Sequence, residues 1–228
     1  MRTGFRSRIL LALGFILLFT ACQTTRQAHH VDRAGFLGDY SMLREGEGDE
    51  ALLTYVDRTV DFRRYDAVVI DTVTFWHSGE SKVSPEDQQM LTDALYHSLH
   101  TKMVEHGVKV VMEPGPGVLR VRAAITEAKG ARVVGNALTS IIPQTRLLAT
   151  LTGLATDTAV FVGKASVEMD VRDSVTDQRV AAAVDERIGT KAVRGAFTKW
   201  GEVKDAFDYW ADRAATRLQE LRGVEKED

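Results

Sequence analysis

The 228-residue sequence holds a single cysteine, Cys22. One thiol excludes an intramolecular disulfide framework and any cysteine-rich metal site. Positive charge is not in excess: 29 Lys and Arg stand against 32 Asp and Glu. The basic footprint of a general nucleic-acid partner is therefore missing. The N-terminal apolar run, residues 9–19 (ILLALGFILLF), is shorter than the about 20 residues of a helical bilayer span. There is no G-x-S-x-G elbow, no P-loop and no GxGxxG after a strand. The glycines of EPGPG, residues 113–117, lead into a strand rather than a helix, which excludes a phosphate cradle there.

What is present begins with a leader. Arg2, Arg6 and Arg8 precede the apolar run, and the small residues Thr20 and Ala21 follow it. A basic n-region, a short h-region and a small-residue exit are the pattern of a signal peptide over residues 1–21. Phe19-Thr20-Ala21-Cys22 resembles the lipobox of bacterial lipoproteins, with Phe19 where that family usually carries Leu. The resemblance implies a diacylglycerol on the Cys22 thiol, cleavage just before it and acylation of the new amino group. Several chains together give stable anchoring where one is marginal. Gln23, standing where Asp would signal retention, implies transfer to the outer membrane of a Gram-negative cell. Loss of the leader lowers Lys+Arg from 29 to 26 against 32 acidic residues, for a net charge near −6. With Cys22 lipidated no thiol remains for catalysis.

From Cys22, residues 22–34 (CQTTRQAHHVDRA) read as a flexible tether with no apolar periodicity. Residues 35–57 read as an extended arm on the domain surface, pinned by Phe36, Leu37, Tyr40 and Leu43. Residues 66–76 (DAVVIDTVTFW) are dense in β-branched and aromatic side chains and predict one strand buried on both faces. Ser84-Pro85-Glu86-Asp87 then opens a helix: Ser caps, Pro takes the first position, and the acids sit in the positive first turn. Its stripe is Leu91, Leu95, Leu99 and Met103, and Gly107 ends it.

Residues 108–112 return as a strand, which makes a crossover unit. Leu119, Val121, Ala123 and Ile125 alternate with polar residues as a half-buried strand. A hairpin follows, with Ala165, Val167, Met169 and Val171 on one face and Val180, Ala182, Val184 and Ile188 across the turn. Residues 202–221 form an amphipathic helix with Val203, Phe207, Trp210 and Leu218 in its stripe. Residues 223–228 are a charged tail. The expected fold is α+β: one domain over residues 35–222, a mixed, largely antiparallel sheet and two main helices, ordered β-α-β-β-insert-β-β-α.

The insert, residues 135–158 (GNALTSIIPQTRLLATLTGLATDT), is rich in Leu, Ile, Thr and Ala, with Arg146 and Asp157 as its formal charges. One reading is a connecting helix over residues 144–154 docked on the core through Leu147, Leu148, Leu151 and Leu154. The other is an exposed apolar lid hinged at Pro143 and Gly153. That lid would present Ile141, Ile142, Leu147, Leu148 and Leu151 to an envelope protein partner, a second copy or the bilayer.

Asp93, His97 and His100 follow one another at spacings of four and three on the first helix, a spacing that can ligate zinc. They also lie away from the leucine stripe, where a solvated face belongs, and no further ligand or catalytic Glu motif accompanies them. His29 and His30 read as part of the solvated tether. Glu168, Asp170 and Asp173, with Asp185, Glu186 and Arg187 across the hairpin, are candidates for acid/base work or simply the solvent face of a sheet. Trp76, Trp200 and Trp210 are either a carbohydrate platform or core and rim anchors.

GFLGDYSMLREG, RYDAVVIDTVTFW, VGKASVEMDVRDSVTDQRVAAAVDERIG and FTKWGEVKDAFDYWA together resemble the bacterial lipoproteins of domain of unknown function 3313, over residues 35–221. The resemblance implies a lipid-anchored, secreted α+β domain with no established activity, no cofactor and no catalytic residues to carry over. The expected function is a non-enzymatic outer-membrane lipoprotein facing the periplasm, an accessory, assembly or binding module. The alternatives are a periplasmic metal-dependent hydrolase using Asp93, His97 and His100, and a homo-oligomer formed through the insert.

Overall fold

A computed structural model describes residues 25–76, 81–130, 163–189 and 199–224. In chain order they form β1 (Thr25–Gln27), β2 (Arg44–Glu45), β3 (Leu53–Val56), β4 (Ala67–Ile70), β5 (Thr74–Phe75), α1 (Pro85–Glu105), β6 (Lys109–Val111), β7 (Val118–Lys129), β8 (Lys164–Asp173), β9 (Arg179–Gly189) and α2 (Gly201–Arg222). A 3-10 turn lies at Phe62–Arg64. The nine strands described form one sheet in the order β2-β3-β9-β8-β7-β4-β6, with β1 beside β9 and β5 beside β7. β4 runs parallel to β6 and β7, and β5 parallel to β7, while the other pairs are antiparallel. The architecture is the expected α+β single domain, and β4-α1-β6 is the expected crossover.

α1 forms as its sequence dictates. Ser84 accepts from the Asp87 N–H at 3.2 Å, Pro85 takes the first turn, and Gly107 leaves with φ +74°. Its leucine stripe and the α2 stripe of Val203, Phe207 and Trp210 pack with the inner face of β4, β7 and β8 into the main core. Asp87 joins the starts of the two helices, accepting from Trp200 Nε1 at 2.9 Å and Lys199 Nζ at 2.6 Å. Further along, Ser98 donates to Asp208 at 2.6 Å and His106 meets Asp212 at 2.9 Å.

Four expectations change. Residues 66–76 are two short strands, because Asp71 leaves the run to bind Arg120 while its N–H still reaches the Val121 carbonyl. The segment read as a tether is fixed from Thr25: β1 pairs with the end of β9, and Thr25, Ala28 and Val31 are buried. The arm contributes β2 and β3 to the sheet and lays Phe36, Leu37, Tyr40 and Leu43 over its second face, against Ala182 and Val184. The molecule thus has three layers, helices, sheet and arm.

The fourth change concerns the register of β9. Ala182 and Val184 face the arm, so Ala181, Ala183, Asp185 and Arg187 face α2. Val180, at the register shift opposite Val171 and Arg172, joins the main core. A period of two fixes which residues share a face but not which layer they meet.

The β2–β3 turn is closely built. A Cβ on Gly46 would stand 1.9 Å from the Ala51 carbonyl oxygen. Gly46→Ala should therefore lower stability by about 1–3 kcal/mol, read as a fall in the urea midpoint. An unchanged midpoint would mean that the turn opens freely.

Candidate functional site

Because β9 offers alanines to α2, the space between sheet and helix is not filled. Ala181 and Ala183 form the floor with Val171 and Met169, and Trp210, Ala214 and Leu218 of α2 form the roof. The slot has a volume of about 160 Å³ and runs inward to Val68 and Leu119, at 0% and 1% exposure.

The mouth lies between the β2–β3 hairpin and the second half of α2. Arg213 meets Asp49 at 3.0 Å, and Glu50 holds Arg44 at 2.9 Å with Arg217 at 3.5 Å. Burial pushes the Glu50 carboxyl up, but the Glu47 N–H and Arg44 outweigh it and hold it below the ordinary value. Next to the mouth is a vestibule of about 320 Å³ that shares Val56, Phe62, Arg217 and Leu221 with the slot and adds Arg44 and Arg58. Arg58 is exposed and has no hydrogen bond or ion pair among the described residues.

The hairpin carboxylates are not on a solvent face, as one reading of the sequence had them. Glu168, Asp170, Asp173, Asp185 and Glu186 are all buried. Glu168 accepts from the Ala34 N–H at 2.6 Å, the Leu37 N–H at 3.0 Å and the Tyr40 hydroxyl at 2.7 Å, which clamps the arm to the sheet. Burial and that carboxylate push the Tyr40 phenol up to about 12. Asp170 accepts from Arg179 at 2.7 Å and Arg172 at 2.8 Å, while Arg179 also donates to the carbonyls of Leu37 and Asp39.

Asp185 accepts from Gln27 at 2.7 Å, the Leu52 N–H at 3.1 Å and Trp210 at 2.7 Å. Glu186 accepts from Ser166 at 2.8 Å and pairs with Lys164 at 2.9 Å. Arg187 donates twice to Thr25 at 2.8 Å, lies 3.5 Å over the Tyr209 ring, and is lowered by burial. Each of these groups has structural partners, Glu186 through Oε2 alone.

Asp93, His97 and His100 stand on the exposed side of α1. Asp93 accepts from Gln89 at 2.8 Å, and the His100 ring lies 6.4 Å from that of Tyr96. Among the described residues no group of three or more His, Cys, Asp or Glu side chains is gathered as for a metal ion. The tryptophans are dispersed: Trp76 donates to the Ala34 carbonyl at 3.1 Å beside Phe36, while Trp200 and Trp210 anchor the helices. Cys22 and the insert residues Ile141, Ile142, Leu147, Leu148 and Leu151 lie outside the described residues. Among those described, no helix is long and apolar enough to cross a membrane. Sequence reasoning missed the slot, although three successive alanines in a strand, a residue depleted there, were its visible signal.

The sequence pattern of the family described as protein of unknown function (DUF3313) matches residues 32–214. The chain belongs to this family. The match spans the arm, the sheet beyond β1 and α2 up to Ala214, while Arg217, Leu218 and Leu221 of the slot lie beyond it. The chain matches no curated protein sequence.

Among solved structures, a PelC L103M dodecamer from Paraburkholderia phytofirmans is 12% identical over 73% of this chain and 94% of its own, with a TM-score of 0.39. A minor lipoprotein from Acinetobacter baumannii is 9% identical over 69% and 95%, with a TM-score of 0.34. Protein XCC0632 from Xanthomonas campestris is 11% identical over 68% and 82%, with a TM-score of 0.38.

Proposed function

We propose that this DUF3313 protein is a non-enzymatic accessory module that works by binding, anchored through lipid on Cys22 to the outer membrane and facing the periplasm. The engagement of Glu168, Asp170, Asp173 and Asp185 in holding arm, turn or helix supports the non-enzymatic part of this reading. Even Asp185, the carboxylate that reaches the slot, has both oxygens bonded to Gln27, Leu52 and Trp210.

The anchor gains a geometric consequence from β1. Thr25 is three positions beyond Cys22 and already pairs with Gly189. At about 3.3–3.6 Å per residue, the lipid would hold this end of the sheet within roughly 11 Å of the bilayer surface. Lys129 and Lys164, which flank the insert, pair with each other at the same end. Anchor and insert therefore depart from one end of the domain, consistent with Ile141, Ile142, Leu147, Leu148 and Leu151 meeting an envelope protein partner close to the membrane.

Cys22→Ser should accumulate as unlipidated precursor that no longer floats with outer-membrane fractions. A variant that still matures and fractionates there would end the anchor reading. Crosslinking in intact envelopes, with Leu147 and Leu151 changed to Ser as the control, tests the partner contact.

A further inference from the structure

We propose that the N-terminal arm, residues 25–40, exchanges between two copies of the chain, each arm seating on the β8–β9 face of the other protomer. The proposal goes beyond the accessory role, uses a surface other than the insert, and stands whether or not Cys22 carries lipid. Three observations carry it.

The first is how the arm is held. The Ala28 N–H reaches the Glu186 carbonyl at 2.9 Å, and from there to β2 no main-chain hydrogen bond among the described residues joins arm to strand. Side chains of the body read the arm's main chain instead. Glu168 accepts from the Ala34 and Leu37 N–H groups, and Arg179 donates to the Leu37 and Asp39 carbonyls. Trp76 Nε1 donates to the Ala34 carbonyl. Beyond Ala28 the arm buries Val31 and Leu37, against Ala182 and Val184. A layer with few buried apolar side chains and no main-chain ladder belongs to the least stable part of a fold. Nothing in this set of contacts requires that arm and face share a chain.

The second is the hinge. Tyr40 is followed by Ser41 and Met42, both exposed, before β2. Their turn is closed by the Leu43 N–H on the Tyr40 carbonyl at 3.1 Å and the Ser41 N–H on Asp39 at 2.8 Å. Straightening it forfeits the Leu43 bond, while β1 and the arm remake all their contacts with the sheet on the partner. Exchange of an identical element is a low-cost route to a dimer for this reason.

The third selects the occupant. Gly35 and Gly38 hold φ of +98° and +72°, which side chains disfavour. Between them Leu37 is buried, and the Phe36 ring meets Trp76 edge-on at 5.8 Å and the Arg122 guanidinium at 5.4 Å. The face therefore takes an aromatic–leucine pair flanked by glycines, and every copy of this chain supplies one as Gly35-Phe36-Leu37-Gly38.

The test is native mass spectrometry of the full chain. Wild type should show a dimer whose fraction rises with concentration and which Leu37→Asp abolishes. A wild type that stays monomeric at every concentration overturns the proposal, as does a dimer that Leu37→Asp leaves intact. Mixed with Glu168→Ala, whose arm is sound and whose face is not, Leu37→Asp should form a heterodimer that neither variant forms as a homodimer. A mixture of folded variants that stays monomeric also overturns it. If Leu37→Asp does not fold, hydrogen exchange of wild type decides. The Ala34 and Leu37 amides should exchange about a hundredfold faster than the α1 amides. Equal protection would mean that the arm leaves only when the whole fold does, and exchange would fall. Cys22→Ser fractionation reads the anchor alone, so the two readings fail separately.

Discussion

Glu168→Ala is expected to detach the N-terminal arm from the sheet and to lower folding stability by about 3 kcal/mol or more. Its carboxylate is fully buried and accepts from two backbone N–H groups and one hydroxyl, all from residues 34–40. Truncation leaves the Ala34 and Leu37 N–H groups without that acceptor, Leu37 at a buried position and Ala34 at a half-buried one. Each such orphan costs about 1–3 kcal/mol, and hydrogen bonds to a charged acceptor are at the strong end. Arg179 donates to the Leu37 and Asp39 carbonyls from the same side, so loss of one clasp loosens the other.

Two measurements check this. Urea unfolding should show the loss, and hydrogen exchange should accelerate at Ala34 and Leu37 while the α1 amides stay protected. Unchanged exchange at those two amides would show that Phe36 and Leu37 hold the arm through apolar contact alone. Glu168→Gln keeps one acceptor oxygen, so its loss should be intermediate. It also removes the charge that helps to hold the Tyr40 phenol up at about 12, so the phenol should titrate closer to 10. The sign follows: a phenol raised in the folded state adds stability below pH 10 that is lost as pH rises from 10 through about 12.

Asp173 provides the second large effect, and it is acid-dependent. Burial alone would raise this carboxyl, but the Thr176 N–H at 2.9 Å, the Tyr65 hydroxyl at 2.9 Å and the Val175 N–H at 3.0 Å outweigh it. Arg64 adds an ion pair at 2.7 Å. The group is held well below the ordinary carboxylate range in the folded state. Its contribution is therefore complete above the unfolded value near 3.9 and is lost as pH falls from there toward the folded value. At pH 7, Asp173→Asn should cost on the order of 2–3 kcal/mol.

The variant and wild type should then converge as pH falls from 4 to 2, because protonation removes from wild type what the substitution has already removed. Urea midpoints at pH 7, 4 and 2.5 read the convergence. A constant gap between the two proteins at all three values would sink this account. The effect should be local to the β8–β9 turn and the Phe62–Arg64 turn, the two segments that Asp173 joins.

Much of the helix layer was legible because its signals are local. Ser84, Pro85 and the first-turn acids specify a helix start within four residues, and the leucines at every fourth position specify its buried side. The polar side of β8 misled for the opposite reason. Lys164, Ser166, Glu168, Asp170 and Arg172 alternate as a water-facing strand does, and nothing nearby in sequence reveals what covers them. The cover comes from residues 34–40, more than 120 positions earlier, and its backbone N–H groups are what Glu168 binds. Phe36, Leu37 and Tyr40 were recognisable as pins, but the carboxylate clamp beneath them was not. The apolar slot was hidden because alternation in β9 reads equally well with Ala182 and Val184 turned to either layer.

The sequence by itself determined the fold class, the capped first helix, the amphipathic second helix, the β8–β9 hairpin and the family, since each rests on spacing between near neighbours or on pattern along the chain. Only the tertiary structure decided that the arm enters the sheet, which face of β9 meets α2, and where a cleft is left between them. Those outcomes depend on pairing and packing between segments far apart in sequence, and they are set by shape and hydrogen-bond satisfaction once the layers have met.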